Sequence, residues 1–524
     1  MASHFRRNQL RGPDNMNRMP TSKKKPVLWT ISGSDCSGGA GIAADIKTGF
    51  SLAVEVCTLI TANTVQNSQQ VLSINPVNID VLQQQVDALL PDKPPNVIKI
   101  GQVANSYQLN WLSLTLIKLK QQVADLTVIY DPVGQASVGG YLSSLTRAEL
   151  LSLLTLVDII TPNLQEARTL TGLSSQASEQ ALATAICQLG AKACIIKGGH
   201  SQKHTCDDYC LDTGFHYIPQ ATEHSISYRL SSHRYHTSHS HGGGCSFASA
   251  LGAFISQGYL LRDAFTLTKA FINQGLSVYQ GEESYYGAFE QQGWPREAEY
   301  FPKVIPDAET KLTAPFASLG TGRQDDKKLG LYPVIDSLAW LERLLPLGLE
   351  IIQLRIKNTD PATLEQIIID AVKLARSYNT RLFINDHWQL AIKHGAYGVH
   401  LGQEDLHSAN LAQIQESGLR LGISTHGCYE FLRAQQLKPS YLAIGAIFAT
   451  QTKDMTGQIQ GLDNLSRLLA LATDIPVVAI GGINLERAAK VWQTGVDSMA
   501  VVTAITLAAE PEQAVNRFRQ LMAG

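Results

Sequence analysis

From Pro26 to about Gly281, short apolar runs alternate with longer amphipathic stretches: Val27–Ser32, Val56–Ala62, Val97–Ile100, Val128–Tyr130, Ile159–Thr161 and Ala193–Ile196. Each run ends in a polar or Gly-rich turn. Short continuous apolar runs separated by helix-length spacers predict a doubly wound α/β sheet, with ligand-binding loops at the carboxyl ends of its strands. Between Glu282 and Lys328 the texture turns rich in Gly, Pro and charge, as in Gly293-Trp294-Pro295 and Asp325-Asp326-Lys327-Lys328, and reads as a linker. The rest, 329–524, holds eight regularly spaced apolar runs: Leu331–Asp336, Ile351–Ile356, Arg381–Asp386, Gly398–Leu401, Leu419–Thr425, Tyr441–Ile447, Pro476–Gly482 and Ser498–Thr503. Eight strands with helical spacers predict a (β/α)₈ TIM barrel, whose chemistry sits where the strands run out.

Composition narrows this picture without redrawing it. A chain of 524 residues exceeds what one hydrophobic core usually fills, in line with two domains. Net charge −2 gives no general pull toward nucleic acid or anionic lipid, and no apolar run is long enough to span a membrane, so small-molecule partners are expected. Eight cysteines without a paired zinc-type spacing fit a reducing cytoplasm. Residues 1–25 are basic with no apolar segment behind them and read as a disordered extension.

Polar groups follow nearly every run of the second domain. Asp386 and Asp405 end neighbouring strands, and such a carboxylate pair suits Mg²⁺, a hard ion that shares its shell with substrate phosphates. Arg355, Lys357 and Lys453 add positive charge to the same rim. The Gly481-Gly482-Ile483 turn and the end of the eighth strand occupy the usual phosphate position of such barrels. Gln353-Leu-Arg-Ile-Lys357, Asn385-Asp386, Gly398-Val-His-Leu-Gly-Gln-Glu-Asp405, Thr450-Gln-Thr-Lys453, Ala479-Ile-Gly-Gly-Ile483 and Val502-Thr-Ala-Ile505 closely resemble thiamine-phosphate synthase. That family joins hydroxymethylpyrimidine diphosphate to thiazole phosphate with release of diphosphate. The resemblance implies Mg²⁺ on Asp386 and Asp405, and the diphosphate on Arg355, Lys357, Asn385 and Lys453. It implies the pyrimidine at Gln353 and Ser424, thiazole contacts from Thr450 and Thr452, and the thiazole phosphate at Gly482, Val502 and Thr503.

In the first domain, Gly33-Ser-Asp-Cys-Ser-Gly-Gly-Ala-Gly-Ile-Ala-Ala-Asp45 places a Gly-rich turn between a strand and a helix. His241-Gly-Gly-Gly-Cys245 opens another helix, where converging backbone N–H groups form an anion hole and lower the expected pKa of the Cys245 thiol. With Lys99-Ile-Gly101, Asp131-Pro-Val133, Thr161-Pro-Asn-Leu-Gln-Glu166 and Lys197-Gly-Gly-His200, these motifs resemble the hydroxymethylpyrimidine/phosphomethylpyrimidine kinases of the ribokinase-like fold. The resemblance implies Asp45 and Gln66 on the pyrimidine, Cys245 as catalytic base, and Asp131, Asn163, Glu166, Lys197, Gly242 and Gly244 around ATP and Mg²⁺. Two positions depart from the family pattern: Gly243 stands where Thr is usual, and Ser137 where Lys is usual. Those departures predict a slow kinase, or one specialised for one of its two phosphorylations.

Eight of the 14 histidines fall between His200 and His241, and His200, His204, Cys206 and Cys210 have spacings a zinc site can use; a solvated His-rich flap is the favoured reading. The chain thus reads as a bifunctional, cytoplasmic, homo-oligomeric enzyme of thiamine biosynthesis. The alternative keeps only the synthase active and makes the first domain a degenerate binding or dimerisation module.

Overall fold

The computed structural model describes residues 24–523 except 68, 134–142, 200–203, 216–224, 280, 282–285, 308–311, 313, 320–327, 358 and 451–458. The first domain is built on ten strands: β1 (Val27–Asp35), β2 (Glu55–Gln66), β3 (Val71–Pro76), β4 (Val97–Ile100), β5 (Thr127–Tyr130), β6 (Ile159–Ile160), β7 (Ala193–Ile196), β8 (Thr205–Asp212), β9 (Ile226–His233) and β10 (Lys303–Pro306). They form one sheet in the order β10-β9-β8-β7-β6-β5-β4-β1-β2-β3. The six apolar runs of the sequence are its parallel centre. The four strands added at the edges are antiparallel.

Alternation along β1 sorts side chains to the two faces, as the pleat requires. Leu28 packs with Val97, Ile129 and Ile159 under the helices Gly243–Ser256 and Leu261–Ser277. Val27, Trp29 and Ile31 pack on the other face with Ile98, Ile100 and Val128. Both faces of β1 are buried, which explains why even its polar members Thr30 and Ser32 are shielded from solvent.

The stretch read as a linker is structured in part. Lys303–Pro306 returns as β10 and covers the edge of β9, pairing Val304 with Leu230.

The second domain is a closed barrel of eight parallel strands: β11 (Gly330–Ile335), β12 (Ile351–Leu354), β13 (Arg381–Asn385), β14 (Gly398–Leu401), β15 (Arg420–Thr425), β16 (Tyr441–Ile444), β17 (Val477–Ile480) and β18 (Ser498–Val501). β18 pairs back onto β11, so Gly330 faces Ser498 and no edge is left open. Tyr332, Ile351, Phe383, Tyr441 and Val478 fill the interior. One further apolar core is continuous from the sheet through the helix Leu261–Ser277 to the barrel helix Cys428–Gln436. No helix among the described residues is long and apolar enough to cross a membrane.

Candidate active sites

At the end of β1, Asp35 organises the first Gly-rich turn. Its carboxylate accepts from the Ser37 N–H (2.8 Å), the Ser37 hydroxyl (2.8 Å) and the Ala40 N–H (2.9 Å). His241 Nε2 donates to the same carboxylate at 2.8 Å. Burial works to raise the Asp35 carboxyl, but bonds from His241, Gln66 and Ser37 hold it well below the usual carboxylate range. Gly242 follows His241 with φ +80°, and a Cβ there would run into the Gly39 carbonyl. The two Gly-rich turns therefore meet backbone to backbone, clasped by Asp35 and His241. Gln66, at the end of β2, lies on the same carboxylate.

Asp45 is placed differently from the expectation. It is fully buried, with Lys99 Nζ 3.0 Å from both carboxylate oxygens, Thr30 Oγ1 at 2.5 Å and Ser249 Oγ at 2.6 Å. A carboxylate this enclosed has its bonds satisfied by the protein and presents nothing to a pyrimidine, so its role is corrected to that of an internal ion pair.

Lys197 ends β7 with Nζ 2.7 Å from Asp131 Oδ1, and a Cβ added at Gly244 would lie 3.6 Å from that amine. Asn163 and Glu166 cap the helix Leu164–Thr171 reciprocally, at 2.7 and 2.9 Å. Burial, with Asp131 adding to it and Lys197 opposing, pushes Glu166 up to about 7. Cys245 stands in the first turn of the helix Gly243–Ser256. Here a second expectation is corrected: burial outweighs the pull of the Lys99 amine and pushes the thiol up to about 11, not down. Gly243 itself borders open space, with nothing within 4 Å of an added Cβ. Ser137 lies outside the described residues.

The histidine-rich stretch divides among several tasks. His241 is the clasp, His239 stacks on Tyr279 at 4.4 Å, and Cys206 accepts from Lys269 Nζ at 3.2 Å while Cys210 is buried in the core. His200 lies outside the described residues, among which no group of three or more His, Cys, Asp or Glu is placed to hold a metal ion.

In the barrel, polar side chains gather at the carboxyl ends of the strands. Gln353 of β12 donates to the Tyr332 hydroxyl at 3.3 Å, Tyr332 and Tyr441 hydroxyls are 2.8 Å apart, and Tyr441 lies 2.7 Å from His400 Nδ1. His400 Nε2 is 2.8 Å from Ser424 Oγ. A single chain of hydrogen bonds thus crosses the interior from Gln353 to Ser424. Burial first, then Arg355 and His426, pulls His400 down to about 3, so the ring is neutral and holds one donor and one acceptor nitrogen. Sequence reading did not single out Tyr332, Tyr441 or His400; their signal was an aromatic or His at an inward strand position.

Asp386 follows β13 in the left-handed region, φ +65°, which Asp tolerates better than most residues. Burial and the neighbouring Asp405 push its carboxyl up to about 6, against Lys357 and Arg355. Asp405 also accepts from the Gly402 N–H at 3.2 Å. Asn385 is buried beside them at the strand end. Two carboxylates that repel each other under a cationic rim fit a divalent cation, which would relieve that repulsion.

Gly481 and Gly482 follow β17 with φ +101° and +61°, and a Cβ on Gly482 would lie 2.5 Å from the Ala449 carbonyl. Thr450 stands next to that carbonyl in sequence, while Thr452 and Lys453 lie outside the described residues. Val502 and Thr503 connect β18 to the short helix Thr503–Thr506. A cavity of about 670 Å³ lined by Arg376, Arg381, Arg420 and Tyr397 lies at the other end of the barrel, where the strands begin, and has no part in this gathering.

Comparison with known proteins agrees with both halves. A family model for thiamine monophosphate synthase matches residues 330–505, and one for phosphomethylpyrimidine kinase matches residues 35–287. The thiamine-phosphate synthase of Yersinia pestis (strain Pestoides F) is 57% identical over 199 residues, covering 38% of this chain and 93% of its own length. That of Proteus mirabilis (strain HI4320) is 56% identical over 199 residues, with the same coverage, 38% and 93%. A solved phosphomethylpyrimidine kinase from Clostridium difficile 630 aligns at 29% identity over 48% of this chain and 99% of its own, with TM-score 0.40. Through its barrel the chain belongs to the thiamine-phosphate synthase family, and with the phosphomethylpyrimidine kinase domain fused ahead of that barrel it is a bifunctional transferase of thiamine biosynthesis.

Proposed function

We propose that the first domain phosphorylates 4-amino-5-hydroxymethyl-2-methylpyrimidine and its monophosphate with ATP, and that the barrel joins the resulting diphosphate to 4-methyl-5-(2-phosphoethyl)thiazole. The kinase reading rests on Lys197 lying at once on Asp131 and beside the Gly242–Gly244 turn that opens the Cys245 helix. Backbone N–H groups of that turn stabilise charge on the transferring phosphoryl group, with Lys197 as the adjacent cation. Asn163, Glu166 and Asp131 face the nucleotide and its Mg²⁺. Gln66 contacts the pyrimidine from the rim of the first turn. Cys245 takes the proton of the attacking hydroxyl. A thiol resting near 11 serves as base only after it ionises, which the nearby Lys99 favours.

In the barrel, the observation that carries the reading is the Asp386–Asp405 pair beside Lys357 and Arg355. Asp386 and Asp405 would hold Mg²⁺, and the chemistry it supplies there is neutralisation of charge on the departing diphosphate. Arg355, Lys357, Asn385 and Lys453 grip that diphosphate. Gln353 and Ser424, aligned by the neutral His400, orient the aminopyrimidine so that its electron-rich ring stabilises the methylene cation left behind. Thr450 and Thr452 position the thiazole, and Gly482, Val502 and Thr503 hold its phosphate. No side-chain nucleophile is required.

We place this chemistry in the cytoplasm, in a homo-oligomer whose order sedimentation would measure. The decisive experiment supplies hydroxymethylpyrimidine, ATP, Mg²⁺ and thiazole phosphate to the full chain. Thiamine phosphate is the expected product. Product only when pre-made pyrimidine diphosphate is added would leave the synthase standing and remove the kinase. An Asp386→Asn variant is expected to lose Mg²⁺-dependent synthase turnover, and full activity in it would remove the metal assignment.

A further inference from the structure

The barrel helix Cys428–Gln436 begins immediately after the Ser424-Thr425-His426 strand end, yet its N-cap is Gly427, which has no side chain to accept from the first N–H groups. Those groups need acceptors wherever they are buried. The acceptor comes from the other domain. Asp263, in the first turn of the kinase helix Leu261–Ser277, accepts from the Tyr429 N–H at 2.9 Å and from the Cys428 thiol at 3.4 Å. Asp263 is 4% exposed, and a Cβ on Gly427 would collide with its carboxylate.

Its neighbour Arg262 continues the junction. Arg262 Nη2 lies 2.6 Å from Glu430 Oε1, and Glu430 Oε2 accepts from both the backbone N–H and ring Nδ1 of His426 at 2.8 Å. Tyr429 packs between the domains, 4.7 Å from the Tyr228 ring of β9. On the barrel side, the same segment is met by Gln460, which donates to the His426 carbonyl at 2.7 Å, and by Gln403, which donates to the Ser424 carbonyl at 2.5 Å. The chain from Ser424 to Glu430 is thus fixed by its own barrel on one side and by kinase residues on the other.

The synthases of Yersinia pestis and Proteus mirabilis are 93% covered by a 199-residue match, which leaves too little of either for a kinase domain. The second fixing point belongs to the fused chain.

We propose that Asp263 and Arg262 of the kinase domain are positioning residues of the synthase site: by capping the Cys428–Gln436 helix and holding Glu430 on His426, they set Ser424 for the pyrimidine diphosphate. The proposal rests on the reading that Ser424 faces the pyrimidine. Synthase activity therefore depends on a docked kinase domain even when the kinase reaction is bypassed.

The test uses the full chain with pre-made hydroxymethylpyrimidine diphosphate, thiazole phosphate and Mg²⁺. Asp263→Ala is expected to raise KM for the pyrimidine diphosphate about tenfold and to change KM for thiazole phosphate by less than about twofold. Asp263→Asn keeps an oxygen for the Tyr429 N–H and is expected to recover most of the loss. Arg262→Met gives a second route to the same split should Asp263→Ala not fold. Amide exchange over residues 424–430 is expected to quicken in each impaired variant. Unchanged KM in the folded variants, or equal loss toward both substrates, overturns the proposal. Ser424→Ala separates the two readings. If it leaves the pyrimidine diphosphate KM unaltered, the pyrimidine placement fails, while a persisting Asp263→Ala split still supports the clamp.

Discussion

Single residues decide whether the kinase site is worn or merely rearranged. Gly243 has ordinary backbone geometry and open space around an added Cβ. Gly243→Thr is therefore sterically allowed, and it is expected to raise kinase turnover about tenfold by adding a hydroxyl donor to the anion hole, as read by steady-state phosphorylation of the pyrimidine. The Cys245 thiol, pushed up to about 11, makes a pH prediction with a definite sign. Below that value the thiolate fraction climbs about tenfold per pH unit, so kinase turnover should rise toward alkaline pH, and Cys245→Ala should flatten the profile. Asp45 carries a stability prediction. Breaking its buried pair with Lys99 by Asp45→Ala is expected to cost about 3–5 kcal/mol of stability in a denaturant titration. A folded, equally stable Asp45→Ala that has lost only pyrimidine affinity would restore the original expectation. Sequence reading found Gly243 and Cys245 because motif spacing marks backbone position. It misplaced the tasks of Asp45 and the charge balance at Cys245 because burial is set by residues as distant as Lys99 and Ser249, which no local spacing reports.

At the level of elements, the apolar runs were a reliable guide where both faces of a strand are covered. All six central strands of the sheet and all eight of the barrel stand where the runs do. The four antiparallel edge strands were missed, and β8, Thr205–Asp212, shows why. Its Thr-Cys-Asp-Asp-Tyr-Cys-Leu-Asp sequence interleaves acids with apolar residues, because Lys269 neutralises Asp208 at 2.8 Å inside the sheet's flank. A polar pattern that depends on a partner some sixty positions away looks like a flap when read alone. The strand-to-helix turn at Gly482 supplies the prediction proper to this scale. Its φ of +61° and the 2.5 Å approach to Ala449 O leave no place for a side chain. Gly482→Ala should raise KM for thiazole phosphate at least tenfold while leaving the kinase reaction untouched, and equal KM values would remove the phosphate from this turn.

Across the whole molecule, one apolar core runs from sheet to barrel, and the charges set within that contact make it sensitive to acid. Burial tends to raise Glu430, yet Arg262 and His426 hold it down at about 2. A carboxylate depressed in the folded state adds stability above its unfolded pKa and loses it as pH falls through the folded value. The domain contact should therefore weaken as pH falls from about 4.5 toward 2, and Glu430→Gln should weaken it already at neutral pH. Domain-resolved calorimetry reads both effects: a single transition is expected for the wild type at pH 7, and two separate transitions at low pH or in Glu430→Gln. An unaltered single transition in Glu430→Gln would show that the charges contribute nothing to the docking.

The position of β10 also governs where this polypeptide tolerates division. A cut after Gly281, the boundary that composition suggests, would strip β9 of the strand paired at Val304 and Leu230 and leave a row of unsatisfied N–H and C=O groups. It would also release Gln436 of the barrel, which both donates to and accepts from the Val304 backbone at 2.8 and 3.1 Å. Lys303–Pro306 is a seam stitched into both partners, so a kinase fragment meant to stand alone has to carry that strand along.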